Sequence, residues 1–350
     1  MTTYRDAGVD IDAQDKALAQ IKKMVRSTYN DGVLSDQGAF GGMFRVPGGV
    51  KDPVLVASAD GVGTKLKIAF LSGRHTTVGQ DLVNHCINDI LVQGARPLFF
   101  LDYMATGVLD PDVAADVIGG VATACKEHGV ALLGGETAEM PGFYADGEYD
   151  MAGFIVGIVD GSCILDSSAV REGDLLVGLP SDGLHTNGYS LARKIFFDVM
   201  GLRWDDAVDG LEGSVAEELL KVHQCYLGPV WPLVEKGRVG ALAHITGGGL
   251  TDNVPRVLPD GLKAVIKVGA WDIPPVFRVL SARGQVPADD MWRTFNMGVG
   301  MVLIVSPGEL EGVLEHLRGT DCPGFVMGRI DKGERGVEYD HPPEGFPTGL

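Results

Sequence analysis

Short apolar runs alternate with segments of helical periodicity along most of the chain. Runs of Val, Leu, Ile and Phe bounded by glycine, proline or polar residues predict buried strands at 53–57, 97–106, 130–133, 151–159, 175–180, 295–305 and 325–331. Apolar residues spaced three and four apart predict helices at 12–29, 78–94 and 110–127. The chain after Gly336 is rich in Pro and Gly, and we expect little regular structure there. This alternation of strands and helices predicts the α/β class.

The apolar pattern lapses between Asp160 and Asp174 and resumes in the strand predicted at 175–180. A chain of 350 residues is long enough for two domains, each with its own core. We therefore expect an N-terminal α/β domain over 1–168 and a C-terminal α/β domain over 169–350.

The octapeptide SADGVGTK directly follows the first predicted strand. Its glycines, Gly61 and Gly63, allow a sharp turn and the close approach of a ligand to the backbone. Asp60 offers a hard oxygen ligand for Mg²⁺, Thr64 offers a hydroxyl, and Lys65 offers a compact positive charge. This combination suits a metal–triphosphate, although a hairpin turn with solvated polar residues explains the segment equally well.

A second face of the helix predicted at 78–94 carries polar side chains within about two turns of one another: Asp81, His85, Asn88 and Asp89. Carboxylate and amide oxygens are the ligands that Mg²⁺ requires, while a structural role is the plainer explanation of a lone histidine. Further along, Glu136 and Glu139 follow the strand predicted at 130–133, a location that favours function over plain solvation.

The predicted N-terminal helix is amphipathic and basic, and Lys22 is one of several lysines on it that an anion could meet. A solvated face is the plainer explanation of these lysines. The glycine-rich segment QGAFGGMFRV follows, with Gly41 and Gly42 between aromatic residues. Such a segment suits a loop that lies against a ligand.

Two more glycine-rich segments follow predicted strands in the second half of the chain. The segment SDGLHTNGYSLAR contains His185 and Asn187. The segment ALAHITGGGLTDNVP carries three consecutive glycines after a histidine and a threonine: His244, Thr246, Gly247, Gly248 and Gly249. Triple glycine lets several backbone N–H groups face one anion, as in the nests that bind phosphate. A flexible connector is the alternative explanation of this segment.

The composition of the chain argues against several classes of function. The formal charge of −18 argues against a general affinity for nucleic acid or for an anionic membrane. The five cysteines form no CxxC pair, which indicates thiols in a reducing compartment and no metal cluster. The polar, acidic N-terminus does not resemble a signal peptide, and no apolar run approaches the ~18 residues needed to span a bilayer. We expect a cytoplasmic protein.

Six segments, in this order, resemble the phosphoribosylformylglycinamidine cyclo-ligase (AIR synthetase) family: DGVGTK, NDILVQGARPLFFLDYMATG, GGETAEMPG, HTNGYSLAR, HITGGGLTDNVPRVLP and FNMGVGMVLIV. The resemblance extends to about residue 332. It implies two α/β domains, with N-terminal half-barrels that pair in a homodimer. It also implies ATP-dependent ring closure of formylglycinamidine ribonucleotide to 5-aminoimidazole ribonucleotide in purine biosynthesis, with ADP and phosphate released through an iminophosphate.

The resemblance also implies roles for residues of this chain. It implies Mg²⁺ and ATP as cofactors and leaves K⁺ open. The implied metal ligands are Asp60, Asp89 and Glu136. The residues implied to lie near the phosphates are Gly41, Gly42, Gly61, Gly63, Thr64 and Lys65. The residues implied to bind the substrate are His185, Asn187, His244, Thr246, Gly247, Gly248 and Gly249. The implied catalytic residues are His185 for proton movement, Asp89 and Lys22. The chain departs from the family pattern at Val108, where ATGVL replaces the expected ATGKL.

Other members of the same superfamily are the main alternatives. A selenophosphate synthetase would need a reactive cysteine near the N-terminus, but the first cysteine here is Cys86. The hydrogenase-maturation relative would need a C-terminal cysteine, whereas this chain ends in PTGL. The glutamine-dependent synthetase of the preceding purine step is usually far longer or needs partner subunits. A nucleotide sensor without turnover is the alternative from another class.

Overall fold

The computed structural model describes residues 20–35 and 40–340, which form two compact units. Among the described residues, unit 1 comprises 20–35, 40–90 and 95–163, and unit 2 comprises 91–94 and 164–340. Each unit has a sheet of its own. The junction follows Cys163, a few residues before the position expected from the lapse in apolar pattern. The assignment of Leu91–Gly94 to unit 2 had no signal in the sequence.

Unit 1 is built on a four-stranded sheet. Its strands are β1 (Pro53–Gly61), β2 (Arg96–Thr106), β3 (Ala131–Glu139) and β4 (Tyr149–Asp160). Its helices are α1 (residues 20–26), α2 (Leu66–Ser72), α3 (Thr76–Leu91, whose last residue belongs to unit 2) and α4 (Pro111–Glu127). The strand order is β1-β4-β2-β3, and only the β2–β3 pair is parallel.

Helices cover one face of this sheet. Among the described residues, Phe44 packs against Phe99 of β2 on the other face, while the β1–β4 side of that face leaves Leu55 and Phe154 exposed.

Helix α3 packs on the covered face. Its Leu82 lies so close to Gly153 of β4 that a Cβ atom added to this glycine would be 2.9 Å from the leucine side chain. Helix α4 crosses α3 closely, since a Cβ on Gly79 would lie 2.2 Å from the carbonyl oxygen of Val117. On β1, exposed and half-buried residues alternate, as expected for a sheet with one solvated face. The open face of unit 1 is thus the side of the sheet turned away from α3.

Unit 2 is built on a six-stranded sheet with the order β10-β7-β9-β5-β8-β6. Its strands are β5 (Leu175–Pro180), β6 (Ala241–His244), β7 (Leu262–Lys267), β8 (Val299–Val305), β9 (Phe325–Lys332) and β10 (Val337–Asp340). Its helices are α5 (Tyr189–Arg193), α6 (Val215–Leu219), α7 (Leu227–Glu235), α8 (Gly249–Asn253), α9 (Pro275–Gly284), α10 (Ala288–Thr294) and α11 (Leu310–Arg318). A π-helical segment, Lys194–Val199, continues α5.

The core of unit 2 forms around β8, which is buried along its whole length. Its apolar side chains pack with those of β5 and with Val230 and Leu233 of α7 and Val313 and Leu317 of α11. A continuous run of Val, Leu, Ile and Met is what a strand needs when both its faces are covered. This packing holds the loops that follow β5 and β6 against a rigid support.

Every strand predicted from the apolar runs is present, but two of them continue into segments that we expected to be loops. β1 extends to Gly61 because residues 58–61 pair with β4. β3 extends to Glu139 because residues 134–139 pair with β2. Both extensions consist of glycine and polar residues, which carry no apolar signal, so periodicity alone ended these strands too early.

Two further predictions were wrong near the C-terminal end. The strand predicted at 295–305 begins only at Val299, because the backbone turns at Met297, where φ is +55°. The tail contains β10, which pairs in parallel with β7, although we expected little regular structure after Gly336. Residues 12–19 of the predicted N-terminal helix, residues 37–39 of the glycine-rich loop and residues 341–350 lie outside the described residues.

Candidate functional site

In unit 1, three side-chain contacts join the end of β1 and its following turn to one face of α3. Nζ of Lys65 lies 2.8 Å from Oδ1 of Asp81. One turn further along α3, Nε2 of His85 lies 2.7 Å from Oδ2 of Asp60. One more turn along, Oγ of Ser58 donates to Asp89 at 2.9 Å. Residues 81, 85 and 89 share a face of the helix because they are four residues apart, and we call this set of contacts the acidic ladder.

The ladder is buried at one end and accessible at the other. The side chains of Lys65 and Asp81 are fully buried, whereas those of Asp60 and Asp89 are 42% and 26% exposed. Gly63 and Thr64 are exposed in the 3₁₀ turn Gly63–Lys65. The carboxylates, and not the lysine ammonium, are therefore the groups that a ligand from solvent meets first.

The accessible end carries excess negative charge. Burial by itself lowers the pKa of His85, but the hydrogen bond to Asp60 and the charges of Asp89 and Asp81 outweigh it, and the pKa lies above its ordinary value. Burial by itself raises the pKa of Asp60, but the hydrogen bond and charge of His85 lower it below its ordinary value. A site that draws a proton onto its histidine is also a site that attracts a cation.

The donor set at this end fits Mg²⁺. Asp60 and Asp89 supply hard carboxylate oxygens, the ligand type that this ion prefers. Both carboxylates approach the same atom, Nε2 of His85, at 2.7 Å and 3.8 Å. They are therefore within about 6.5 Å of each other, the sum of these two separations, and small side-chain rotations would let them share an ion or its water shell.

Glu136, the third predicted metal ligand, lies apart from this pair. The strand register places Glu136 in the same row across the sheet as Gly61, one residue beyond Asp60. Successive residues of a strand point to opposite faces, so Asp60 faces α3 whereas Glu136 faces the open side. Three strand spacings, roughly 14 Å, also separate β1 from β3. Within one chain, Glu136 therefore does not share a cation with Asp60 and Asp89.

The other residues predicted near the nucleotide also lie outside the acidic ladder. A Cβ on Gly42 would lie 2.4 Å from Leu133, so this glycine packs beside β3, at the opposite edge of the sheet from β1. Gly41 is exposed and has no atom within 4 Å of a Cβ position. Lys22 is an exposed residue of α1. In the described part of the chain these residues are not brought together with Asp60.

Sequence reasoning missed Asp102, a buried carboxyl group on β2. Burial raises the pKa of Asp102 to about 7. A Cβ on Gly135 of β3 would lie 2.2 Å from Oδ1 of Asp102, so the neighbouring strand accommodates this carboxyl group only because it has glycine there. This contact gives a structural reason for one of the two glycines in the GGET segment.

In unit 2, His185 is buried in the loop after β5, with 1% of its surface exposed. Its Nε2 accepts backbone N–H groups of Asp182 at 3.2 Å and of Gln224 at 3.4 Å. The neutral ring consequently carries its hydrogen on Nδ1. Its backbone adopts a φ of +60°, which is uncommon outside glycine. This geometry supports a role for His185 in holding the loop, whereas its proposed role in proton movement stays a prediction.

The loop after β6 is held by one asparagine that the sequence analysis did not select. Nδ2 of Asn253 donates to the carbonyl oxygens of Gly247 at 3.1 Å and Gly249 at 2.9 Å. Gly248 and Gly249 have φ values of +96° and +58°, and a Cβ on Gly249 would lie 2.0 Å from the carbonyl oxygen of Trp292. The triple glycine thus forms a hydrogen-bonded, closely packed turn, which favours a defined loop over a flexible connector.

The two glycine loops of unit 2 meet. A Cβ on Gly247 would lie 3.2 Å from Oδ1 of Asn187, so these two predicted substrate residues are neighbours. Gly247 is exposed, and Asn187 and Thr246 are partly exposed. The structure therefore places Asn187, Thr246, Gly247 and Gly248 along one accessible rim, while Gly249, His185 and His244 lie beneath the surface.

Two family models match the chain. The one described as "AIR synthase related protein, N-terminal domain" matches residues 41–159, and "AIR synthase related protein, C-terminal domain" matches 171–341. A phosphoribosylformylglycinamidine cyclo-ligase from Citrifermentans bemidjiense is 53% identical over 96% of this chain and 97% of its own length. One from Alkaliphilus oremlandii is 48% identical over 96% of this chain and 98% of its own.

The chain belongs to the phosphoribosylformylglycinamidine cyclo-ligase family. It is accordingly an ATP-dependent ligase, and the family resemblance noted in the six sequence segments is confirmed.

Solved structures support the fold more broadly. A thiamine-monophosphate kinase from Stenotrophomonas maltophilia superposes with a TM-score of 0.70 at 18% identity, over 93% of this chain and 96% of that one. The hydrogenase maturation protein HypE, solved in complex with ATP, superposes with a TM-score of 0.67 at 19% identity, over 95% and 93%. At such identities the likeness concerns the fold alone, so the cyclo-ligase assignment depends on the sequence relatives.

Within residues 20–35 and 40–340, no helix combines the length and the apolar character required to cross a membrane.

Proposed function

We propose that this ligase closes the imidazole ring of 5-aminoimidazole ribonucleotide from formylglycinamidine ribonucleotide, with Mg²⁺–ATP bound at the acidic ladder of unit 1. The observation that carries the proposal is the identity of 53% to a named cyclo-ligase over 96% of the chain. The ladder supports it, because two accessible carboxylates and an exposed 3₁₀ turn stand together at the end of β1.

Each side chain of the ladder has a distinct task in this proposal. Asp60 and Asp89 supply the oxygen ligands. His85 orients Asp60 and Ser58 orients Asp89, so both carboxylates are positioned before the ligand arrives. When bound, Mg²⁺ neutralises charge on the phosphates of ATP. The buried Lys65–Asp81 pair fixes the turn that carries Gly63 and Thr64.

Unit 2 is proposed to hold the ribonucleotide. Its rim of Asn187, Thr246 and Gly247 offers an amide, a hydroxyl and glycine backbone, groups that suit a phosphate or ribose. Asn253 keeps the glycine turn closed from inside by binding its carbonyl oxygens. A preformed turn loses little conformational entropy when the ligand binds.

The chemistry requires an activated amide. An amide oxygen is a poor leaving group until it carries a phosphoryl group, and the resulting iminophosphate is open to attack by the amidine nitrogen of the same substrate. Phosphate then leaves and the ring is closed. Because both reacting groups belong to one molecule, the contribution of the protein is mostly positioning and charge neutralisation.

A direct assay tests this function. The full chain, supplied with Mg²⁺, ATP and formylglycinamidine ribonucleotide, is expected to form ADP, phosphate and the aminoimidazole in equal amounts, measured by chromatography. A reaction without the ribonucleotide is the control and is expected to release little ADP. A folded sample that binds ATP but forms no imidazole would contradict the proposal and favour a nucleotide sensor.

We also propose that a second copy of the chain covers the open face of the unit 1 sheet. This face exposes apolar side chains, with Leu55 61% and Phe154 44% exposed, and monomeric proteins rarely leave such a surface uncovered. Glu136 also lies on this face, so the partner or a ligand bound there would meet it. Along β1, exposed residues alternate with half-buried ones, as interior and exterior residues alternate along the strands of a barrel.

Leu55→Asp is expected to convert the proposed dimer into a monomer, because it places a charge in the apolar face. Light scattering after size-exclusion chromatography gives the mass directly. Leu71→Asp is the matched control: Leu71 is 51% exposed but lies on helix α2 and not on a strand of the sheet. A wild-type monomer at micromolar concentration, or a Leu55→Asp dimer, would contradict the proposal.

A further inference from the structure

The tetrapeptide FNMG, residues 295–298, begins one of the six segments that resemble the family, yet the proposed function gives it no role. It lies before β8, which begins at Val299. Its first two residues are buried, with Phe295 0% and Asn296 3% exposed. A ligand that arrives from solvent therefore does not reach them. We call this tetrapeptide the FNMG turn.

The FNMG turn has an unusual backbone. The N–H of Val299 donates to the carbonyl oxygen of Asn296 at 3.0 Å, and the two residues between them have positive φ, +55° at Met297 and +93° at Gly298. Positive φ at both central positions is typical of a type I′ turn, where glycine, asparagine and aspartate are favoured. A methionine there is held by its surroundings, and Nε1 of Trp271 donates to its carbonyl oxygen at 2.9 Å.

The side chain of Asn296 joins this turn to the loop after β5. Its Oδ1 accepts the backbone N–H of Gly298 at 2.8 Å, and its Nδ2 donates to the carbonyl oxygen of Gly183 at 3.0 Å. These partners fix the orientation of the amide, because an N–H only donates and a carbonyl oxygen only accepts. Oγ of Ser181 lies 2.9 Å from Oδ1 of Asn296. Asn296 thus holds the first residues of the loop that later carries Asn187.

Phe295 contacts the far end of the same loop and also the glycine turn after β6. A Cβ on Gly188 would lie 2.3 Å from the ring of Phe295, and a Cβ on Gly249 would lie 2.8 Å from its carbonyl oxygen. Gly188 is the N-cap of α5, and Gly249 is the first residue of α8. The FNMG turn is therefore packed against both glycine loops, each at the point where it enters its helix.

The two loops meet on the accessible rim, where a Cβ on Gly247 would lie 3.2 Å from Oδ1 of Asn187. The position of Asn187 relative to Gly247 consequently depends on how the first loop is held to the turn beneath both loops. Buried backbone groups that lose their hydrogen-bond partners are costly, so the three contacts of Asn296 resist displacement of the first loop. Binding sites need their groups to be held within about 0.5 Å of the productive geometry.

We propose that Asn296 is a positioning residue, which ties the loop that carries Asn187 to the FNMG turn and so aligns it with the loop that carries Gly247. This rests on the proposed function in so far as the ligand of the rim is the ribonucleotide. Asn296 itself touches no substrate, because it lies beneath the rim.

Asn296→Leu in the full chain tests this role. Leucine branches at Cγ as asparagine does and has a similar shape, but it offers neither donor nor acceptor, so Gly183 and Gly298 both lose this partner. Hydrogen exchange followed by mass spectrometry is expected to become faster in residues 181–188, by on the order of tenfold. KM for the ribonucleotide is expected to rise by on the order of tenfold, while KM for ATP changes less than about twofold.

Thr320→Val is the matched control. The hydroxyl of Thr320 donates to the carbonyl oxygen of Leu317 at 2.8 Å and accepts the N–H of Cys322 at 3.1 Å. This variant therefore also removes two hydrogen bonds from unit 2, but after α11 and outside both glycine loops. It is expected to lower the melting temperature without changing the exchange of residues 181–188 or either KM.

Ser181→Ala covers the case in which Asn296→Leu does not fold. It removes only the hydroxyl beside Oδ1 of Asn296 and leaves the contacts to Gly183 and Gly298 in place. The same two changes are expected at a smaller size, about threefold each. In this case an unchanged exchange rate or an unchanged KM for the ribonucleotide in Ser181→Ala overturns the inference.

For a folded Asn296→Leu enzyme, three results would overturn the inference: unchanged exchange in residues 181–188, faster exchange with an unchanged KM for the ribonucleotide, or equal rises in KM for ribonucleotide and ATP. The two proposals fail separately. If the loop loosens as expected but the wild-type enzyme forms no imidazole, Asn296 still holds the loop and the proposed function falls. If the wild-type enzyme is active and the loop does not loosen, the reverse holds.

Discussion

Asp60→Asn and Asp89→Asn are each expected to lower the Mg²⁺-dependent ligase activity by on the order of 10²–10³-fold, the usual effect of removing one preorganised electrostatic contact from a reacting charge. Asparagine keeps the size of the side chain and one acceptor oxygen. The hydrogen bond from Ser58 to residue 89 therefore survives. At residue 60 the two carboxylate oxygens accept from His85 and from the backbone N–H of Gly61, so asparagine keeps one of these two contacts and loses the other together with the negative charge.

Comparing the loss of activity with the loss of stability shows whether the two carboxylates bind the metal–nucleotide or support the fold. Both carboxylates are partly exposed, and we expect each variant to shift the melting temperature by no more than about 4 °C. Higher Mg²⁺ should restore part of the activity, because a weaker site is filled by mass action. Asp116→Asn, an exposed residue of α4, removes one charge from the same unit and is expected to retain activity. Activity and stability losses of equal size would show that the carboxylates are structural.

The acidic ladder was partly predictable. Helical spacing alone placed Asp81, His85 and Asp89 on one face, because the period of a helix is local and regular. The residues against which this helix face packs are distant from it in the sequence. The opposing residues of the ladder come from β1 and the turn after it, and the sequence showed only that both segments were rich in polar groups.

Glu136 shows why chain order does not give position in a sheet. Asp60 and Glu136 follow apolar runs in the same way, and the resemblance to a family suggested one common site for both. The strand order β1-β4-β2-β3 separates them, and the register turns them to opposite faces. A shift of one residue in register would reverse the face, and no feature of a single sequence reports that register.

In unit 2, the glycine-rich segments identified accessible residues, such as Asn187 and Thr246, and also buried ones, such as His185 and His244. Asn253, which donates to the carbonyl oxygens of the glycine turn, belongs to no repeating pattern. Asn253 lies only four residues after Gly249, and an asparagine just behind a triple glycine was a usable signal. His223, which contacts Thr186 and His244, had no such signal, because these two residues lie 37 and 21 positions away from it in the sequence.

Lys65→Met is expected to reduce the free energy of unfolding by about 3–5 kcal/mol, the cost of leaving one member of a buried ion pair alone. Lys65 and Asp81 are both fully buried and 2.8 Å apart. Methionine fills a similar volume, so the loss reports the uncompensated charge of Asp81 more than a cavity. The midpoint and slope of a urea denaturation curve give this free energy.

The double variant Lys65→Met/Asp81→Leu separates stability from function. Replacing both charges by apolar side chains of similar size is often neutral or stabilising, so the double variant should recover most of the lost stability. If Lys65 serves only to fix the turn, the double variant also keeps a KM for ATP close to that of wild type. If the turn opens and Lys65 reaches the phosphates, as its motif suggested, the stable double variant has lost ATP affinity. A loss of less than about 1 kcal/mol in the single variant would contradict the buried pair itself.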